Sequence, residues 1–284
     1  MMATLFNLDL ITARLMDSAR QRAGELARRG VTPALALLSV GADEPSRLYI
    51  SRKVENCRDA GIHVDAHDLP PTIGQAALLE HIARLNADPL YHGVMVQLPL
   101  PPHLDERAIC RAIAVHKDVD GLHPYNIMAL HDATPGIIAC TVRGIAHILA
   151  RVHPDLAGLQ VTIIGRGELV GLPAALLLGG RSVHGNADVT VVHSRSRNIA
   201  DSTRQADIVI AAAGVPGMLT PGMLRPGATV IGVGMTWHDG RMTGDLSADM
   251  TMHDGWITPP AESFGGMTRM MLLHNILDVA ATNV

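Results

Sequence analysis

Short apolar runs alternate along the chain with segments whose apolar positions recur every three to four residues. Buried strands of parallel sheets produce the first pattern and amphipathic helices the second, so their alternation predicts βαβ units. In the first half, strands are expected over 34–40, 62–69 and 93–98, with helices over 7–29, 46–60, 73–86 and 105–114. The stretch 117–141 is rich in Asp, His, Pro and Gly and has no period; it is expected as a loop leading to a helix that starts near Val142 and bridges two domains. The pattern then restarts, with strands over 161–164, 188–193, 208–212 and 229–233 and a helix over 171–178. Apolar residues at helical spacing over 267–280 predict a last helix that packs back on the first domain. The expected fold is α/β in two domains: residues 1–140 with 265–284, and a Rossmann-like, dinucleotide-binding domain over 141–264.

Composition narrows the chemistry. With 284 residues, 48% hydrophobic and 18% charged, the chain has neither the balance of a disordered protein nor that of a disulfide scaffold. A net charge of -4 without a block of like charges gives no footprint for nucleic acid, and no apolar run suits a membrane span. The beginning of the chain has no basic region ahead of an apolar stretch, which leads to the expectation of a cytoplasmic protein. Cys57, Cys110 and Cys140 are far apart, and the fifteen histidines show no ligand spacing, so no metal site is expected.

The basic residues carry more information. Of 23 Lys and Arg residues, only Lys53 and Lys117 are lysines. A guanidinium keeps its proton, whereas a desolvated ammonium can release it, so a lysine surviving this bias is a candidate for proton chemistry. The run from Gly41 to Gly61 reads as one helix entered at Asp43-Glu44-Pro45, which places Tyr49 and Lys53 at i and i+4 on one face. A Tyr-xxx-Lys pair also occurs in short-chain dehydrogenases, but there it follows the dinucleotide glycines within one domain, and here it precedes them by far. Gln97 ends the apolar run Gly93 to Val96 just before the prolines 99, 101 and 102, a position at a strand's carboxyl end where α/β proteins place ligands. As a neutral group it can bond Lys53 without holding its proton in place. Asp120 lies in the loop Lys117-Asp-Val-Asp-Gly-Leu-His-Pro-Tyr-Asn126. Tyr49, Lys53, Gln97 and Asp120 thus come from three neighbouring connections.

In the second half, Val161-Thr-Ile-Ile-Gly165-Arg166-Gly167 through Gly171-Leu-Pro173 follows a strand and opens a helix, a variant of the dinucleotide turn in which Gly165 and Gly167 admit close backbone approach. The next strand ends in His193-Ser194-Arg195-Ser196-Arg197, with no acidic residue for a ribose hydroxyl. Arg166, Ser194 and Arg195 suit a 2′-phosphate, which favours NADP.

On these residues the sequence resembles the bifunctional methylenetetrahydrofolate dehydrogenase/methenyltetrahydrofolate cyclohydrolase family over nearly its whole length. The Tyr49-to-Lys53 helix ending in Asp59-Ala-Gly61-Ile62, the run Val96-Gln-Leu-Pro-Leu-Pro101 and the run from Lys117 to Asn126 carry the resemblance, supported by Val170-Gly171-x-Pro173, His193-Ser194-Arg195, Ala206-Asp207-Ile208 and Gly244-Asp245. It implies NADP-dependent oxidation of 5,10-methylenetetrahydrofolate followed by hydrolysis of the methenyl cation to 10-formyltetrahydrofolate, in a homodimer with its active site between the domains. It also implies roles: Lys53 assists water attack and proton transfer, Gln97 orients it, Tyr49 packs on the folate, Asp120 binds the pterin, and Met235 borders the nicotinamide.

The sequence departs from the family pattern at three places. Pro259 to Thr268 reads Pro-Pro-Ala-Glu-Ser-Phe-Gly-Gly-Met-Thr where a Pro-Val-Pro-Gly-Gly-Val-Gly-Pro-Met-Thr loop is usual. Ala139-Cys140-Thr141-Val142 replaces Pro-Cys-Thr-Pro, and Gly232 stands where an Asp is usual. Side chains at Glu262 and Ser263 are expected to crowd or reshape a loop that normally offers bare backbone. The alternatives are therefore a relative with one half-reaction or a modified folate substrate, and a non-catalytic folate- or NADP-binding paralogue.

Overall fold

The computed structural model describes residues 2–132, 134, 136–238 and 241–282. The chain forms two compact units, one made of Thr12–Ile127, Gly136–Cys140 and Arg269–Val284, the other of Met1–Ile11, Met128–Pro135 and Thr141–Thr268. In chain order the strands are β1 (Thr4–Leu5), β2 (Ala34–Val40), β3 (His63–Leu69), β4 (Gly93–Val96), β5 (Gln160–Ile164), β6 (Asp188–Val192), β7 (Ile208–Ala211), β8 (Thr229–Gly232), β9 (Met235–His238), β10 (Arg241–Gly244) and β11 (Trp256–Ile257). The α-helices are α1 (Leu8–Arg28), α2 (Glu44–Asp59), α3 (Gln75–Ala87), α4 (Glu106–Ala112), α5 (Pro124–Asp132), α6 (Cys140–Val152), α7 (Gly171–Gly179), α8 (Ile199–Thr203) and α9 (Gly265–Thr282).

The first of these units is built on a three-stranded parallel sheet ordered β3-β2-β4. The central strand β2 is buried along all seven residues, as its nearly unbroken apolar run requires, and its one polar residue, Ser39, donates to Asp68 Oδ1 at 3.0 Å. It packs with Leu78, Ile82, Val94, Val96 and Ile109 in one core. Because the strand following β2 lies on one side and β4 on the other, the connections diverge at the carboxyl ends of β2 and β4. A crevice opens at such a point. A cavity of about 180 Å³ lies there, lined by Ser39, Gly41, Asp43, Ser46, Gln97 and Pro101 among others.

The other unit carries a six-stranded parallel sheet ordered β1-β11-β8-β7-β5-β6, with the β9–β10 hairpin as a separate ribbon. Its connections reverse direction between the neighbours β5 and β7, the place at which sheets of this kind receive a ligand.

Two expectations are corrected, and several short elements were not expected at all. The chain start, assigned to the first domain, instead pairs β1 with β11, and Phe6 is buried with its ring 5.0 Å from that of Trp256. Two residues are too few to give a periodic signal. The expected loop over 117–141 contains α5, whose opening Pro124 is acceptable at a helix start and whose apolar positions are diluted by Asp and His. The β9–β10 hairpin, β11 and the five-residue α8 went unread because each is too short to establish a period.

Candidate active site

Helix α2 carries the decisive pair. Asp43 caps it, its Oδ1 accepting the Ser46 N–H at 3.0 Å, and this fixes the register that turns Tyr49 and Lys53 to one side. Lys53 is only 4% exposed. Its Nζ donates to Gln97 Oε1 at 2.8 Å, lies 3.6 Å from Met95 Sδ and sits 4.8 Å from the Tyr49 ring centroid. The Gln97 amide is oriented from its other end, where Nε2 donates to the Leu98 carbonyl at 2.7 Å. Its oxygen is thereby left for the amine. The peptide following Leu98 is cis, and the Leu100 N–H is held by Glu106 Oε1 at 2.7 Å, which pins the proline-rich turn beneath Gln97.

Asp120 is placed by its neighbour. The buried Asp118 carboxylate accepts the His123 N–H at 2.7 Å and the Asn126 Nδ2 at 2.9 Å, closing the loop on itself. Gly121, at φ +74°, lies so close to the chain at Ala139 that a Cβ would stand 2.5 Å from its nitrogen. Asn275 of α9 completes the frame by donating to the Val119 carbonyl at 2.8 Å. The loop therefore holds Asp120 close enough for its charge to act on Lys53.

Burial governs the electrostatics. It pushes the Lys53 amine below its ordinary 10.5, while Asp120 and, more weakly, Cys140 and Cys57 pull it back up and Arg269 pushes it further down. Burial raises the Asp120 carboxyl, and Lys53 offsets this only in part. The Tyr49 phenol is pushed up to about 12, again by burial. An amine that is desolvated, bonded to a neutral amide and flanked by a phenol that keeps its proton gives up its proton more readily than an exposed lysine and is suited to accept and return one.

Lys117 shows that rarity alone does not mark function. It too is buried, but its Nζ donates to the Asp88 and Leu85 carbonyls at 2.7 and 3.3 Å and closes off the end of α3.

In the other unit, Gly165, Arg166 and Gly167 follow β5, Ser194 and Arg195 follow β6, and Met235 follows β8, so all six lie at the carboxyl edge of one parallel sheet. Gly165, at φ +115°, leaves no room for a side chain, because a Cβ would run into the Ala212 carbonyl of the neighbouring connection. Gly171 packs in the same way on the Gly165 backbone, whereas Gly167 faces open space. The expected close approach at Gly165 is thus made by the chain itself, and Gly167 and Arg166, both exposed, are left for a ligand. Ser194 and Arg195 are also exposed. A tight turn open on one side, with a helix start and two guanidinium groups in adjoining turns, fits a dinucleotide phosphate.

The family model for the tetrahydrofolate dehydrogenase/cyclohydrolase catalytic domain matches residues 8–120, and that for the NAD(P)-binding domain of the same family matches residues 139–284. The chain belongs to the tetrahydrofolate dehydrogenase/cyclohydrolase family. It is 42% identical over 282 residues to the bifunctional protein FolD of Methylibium petroleiphilum, covering 99% of this chain and 98% of that one. The fold is similar to the crystal structure of the FolD dehydrogenase/cyclohydrolase of Campylobacter jejuni, with a TM-score of 0.94, 33% identity and coverage of 99% of this chain and all of that one. It is also similar to the Trypanosoma brucei dehydrogenase-cyclohydrolase complexed with NADP and an inhibitor, with a TM-score of 0.92, 32% identity and coverage of 100% and 99%.

Against this family's pattern, the departures have local explanations. Ala261, Glu262 and Ser263 are exposed, and Ser263 Oγ accepts the Gly265 N–H where α9 begins. At Gly232 a Cβ would stand 2.7 Å from the Leu246 side chain, so glycine and leucine are matched there. Cys140 keeps its place, donating its N–H to the Asp120 carbonyl at 3.3 Å.

Residues to which the sequence assigned no role also serve the two regions. Asp245, 1% exposed, accepts the N–H groups of Ala213, Gly214 and Val215 at 2.7, 3.2 and 2.8 Å and so shapes the connection after β7. Arg269 places its guanidinium 5.7 Å from the Tyr49 ring centroid and donates from Nε to Asn56 Oδ1 at 2.9 Å. The available signal was its position as the one Lys or Arg in the sequence of α9. Among the described residues no group of three or more His, Cys, Asp or Glu is arranged to hold a metal, and no helix is long and apolar enough to cross a membrane.

Proposed function

We propose that this chain oxidises 5,10-methylenetetrahydrofolate with NADP and hydrolyses the resulting methenyl cation to 10-formyltetrahydrofolate, with Lys53 as the proton-handling group. The observation that carries this reading is the Lys53 amine, buried against Tyr49 and bonded to Gln97, in a chain that matches the bifunctional family over both of its domains. Folate chemistry is assigned to the unit holding 12–127 and dinucleotide binding to the unit holding 141–268.

In the first half-reaction a hydride leaves the methylene carbon and the folate becomes cationic. NADP, when bound, supplies the hydride acceptor; Arg166, Ser194 and Arg195 would hold its 2′-phosphate, Gly165 to Gly171 its diphosphate, and Met235 would border the nicotinamide. In the second, water adds to the methenyl carbon and the ring opens. Lys53 accepts a proton from that water as it attacks and returns one to the departing ring nitrogen. Gln97 keeps the amine aimed without adding negative charge, Tyr49 offers a ring face for the pterin, and Asp120 accepts hydrogen bonds from its N–H groups. A charged lysine beside a cationic folate is disfavoured, which supports a neutral amine in this step.

The intact set of Tyr49, Lys53, Gln97 and Asp120 speaks against a non-catalytic paralogue. Homodimer formation and a cytoplasmic location are part of this proposal, the second supported by three free cysteines. The test is to incubate purified protein with methylenetetrahydrofolate and NADP, following NADPH and the methenyl intermediate by separate signals. NADPH should accumulate while methenyl-folate rises and then decays; formation of neither product overturns the reading.

A further inference from the structure

Two cations share the Tyr49 ring. The Lys53 amine lies 4.8 Å from its centroid and the Arg269 guanidinium 5.7 Å, and Arg269 is anchored by Asn56, one turn beyond Lys53 on α2. Among the described residues no carboxylate is paired with the Arg269 guanidinium, and the exposed Arg52 on the same face of α2 adds a further positive charge near it. Two like charges beside one aromatic ring, partly withdrawn from water, oppose each other. Arginine cannot relieve this by losing a proton, and lysine can.

We propose that Arg269 is a positioning residue of this site: its guanidinium, held on Asn56 and against Tyr49, presents a fixed positive charge to Lys53 that keeps the amine ready to act as a base. The consequence for turnover rests on Lys53 being the proton-handling group; the charge relation itself does not. Every charged or titratable group that faces Lys53 enters the balance. Asp120 from the loop after the Asp118 turn, Cys140 at the start of α6 and Cys57 on α2 favour the protonated amine, and Tyr49 keeps its proton. Met95 of β4 and Gln97 just after it, the groups bonded to the amine, carry no charge. Burial opposes Asp120 most strongly, and, among the described residues, Arg269 of α9 adds the one fixed charge that acts in the same direction, more weakly than Asp120 acts against it. The same charge disfavours a methenyl cation lingering at the ring, and hydrolysis removes that cation.

The rarity of lysine makes this testable without turnover. Protein labelled with carbon-13 at lysine Cε gives signals from Lys53 and Lys117 alone, assigned with Lys53→Arg. Arg269→Met should raise the Lys53 titration midpoint by about one pH unit, a tenfold change in proton affinity. Arg269→Lys, which keeps the charge, should return it most of the way, its added signal being identified by comparison. The acid limb of the pH profile for methenyl-folate hydrolysis should move with the midpoint. If Arg269→Met does not fold, Asn56→Ala, which releases the guanidinium, is titrated in its place under the same criterion. An unmoved Lys53 midpoint overturns the proposal, even if activity falls. A shifted midpoint in a protein that hydrolyses no methenyl-folate upholds the charge relation and removes the assigned function instead.

Discussion

At the scale of single residues, the site depends on a lysine kept where water would normally hold it charged. Lys53→Arg preserves length and hydrogen-bond donors but not the ability to release a proton. It should lower methenyl-folate hydrolysis by about 10²- to 10⁴-fold while the dissociation constant for NADP stays as in the parent protein. Steady-state hydrolysis and fluorescence titration with the dinucleotide measure the two sides. The same burial has a thermodynamic sign. In the unfolded chain the amine keeps its proton up to about 10.5, whereas in the folded protein it loses it at lower pH. Between those values the unfolded state binds more protons, so this group makes stability rise with pH, and below the folded value the whole cost of a buried charge is present. Lys53→Met should therefore unfold at a higher temperature than the parent near pH ~7, and the gain should shrink as pH approaches ~10. Thermal melts across that range check it, and a loss of stability at neutral pH would contradict the burial argument.

At the scale of elements, what the sequence disclosed depended on length and period. The almost entirely apolar β2 and the capped α2 were legible because a buried seven-residue strand and an Asp-x-x-Ser start each leave a pattern. The face shared by Tyr49 and Lys53 followed from helical spacing, and Gln97 from the break between an apolar run and prolines. Asp245 was not legible as a structural support, because its three backbone bonds join segments about thirty residues away and leave no local mark. The partnership of Arg269 with Tyr49 spans more than two hundred residues and was equally hidden. The Asp245 clamp yields its own expectation. Removing its carboxylate strands three backbone N–H groups at roughly 1–3 kcal/mol each where they stay unpaired. Asp245→Ala should therefore raise the KM for NADP about tenfold or more, or destabilise its unit outright, without changing the Lys53 titration midpoint. A pair of measurements, dinucleotide titration and lysine NMR, separates that outcome from general unfolding.

At the scale of the whole molecule, the two chemistries are assigned to different compact units, so they should be separable by substitution. The sharpest substitution is Ser194→Asp. Ser194 is exposed in the turn after β6, beside Arg195, where a 2′-phosphate would be recognised; a carboxylate there repels that phosphate and can instead accept a bond from a ribose hydroxyl. NADP-dependent oxidation should fall by at least about tenfold, with relative use of NAD rising, since discrimination is a difference between two affinities and both terms move in opposite directions. Hydrolysis of supplied methenyl-folate needs no hydride acceptor and, as proposed, draws on Lys53, Gln97 and Tyr49, none of which shares a turn or an element with Ser194. Its rate should stay within about twofold of the parent value. Lys53→Arg gives the reciprocal pattern for hydrolysis and dinucleotide affinity, and the two variants read together form a test neither provides alone. Should Ser194→Asp abolish hydrolysis in a folded protein, the assignment of the two half-reactions to separate residue sets would fail.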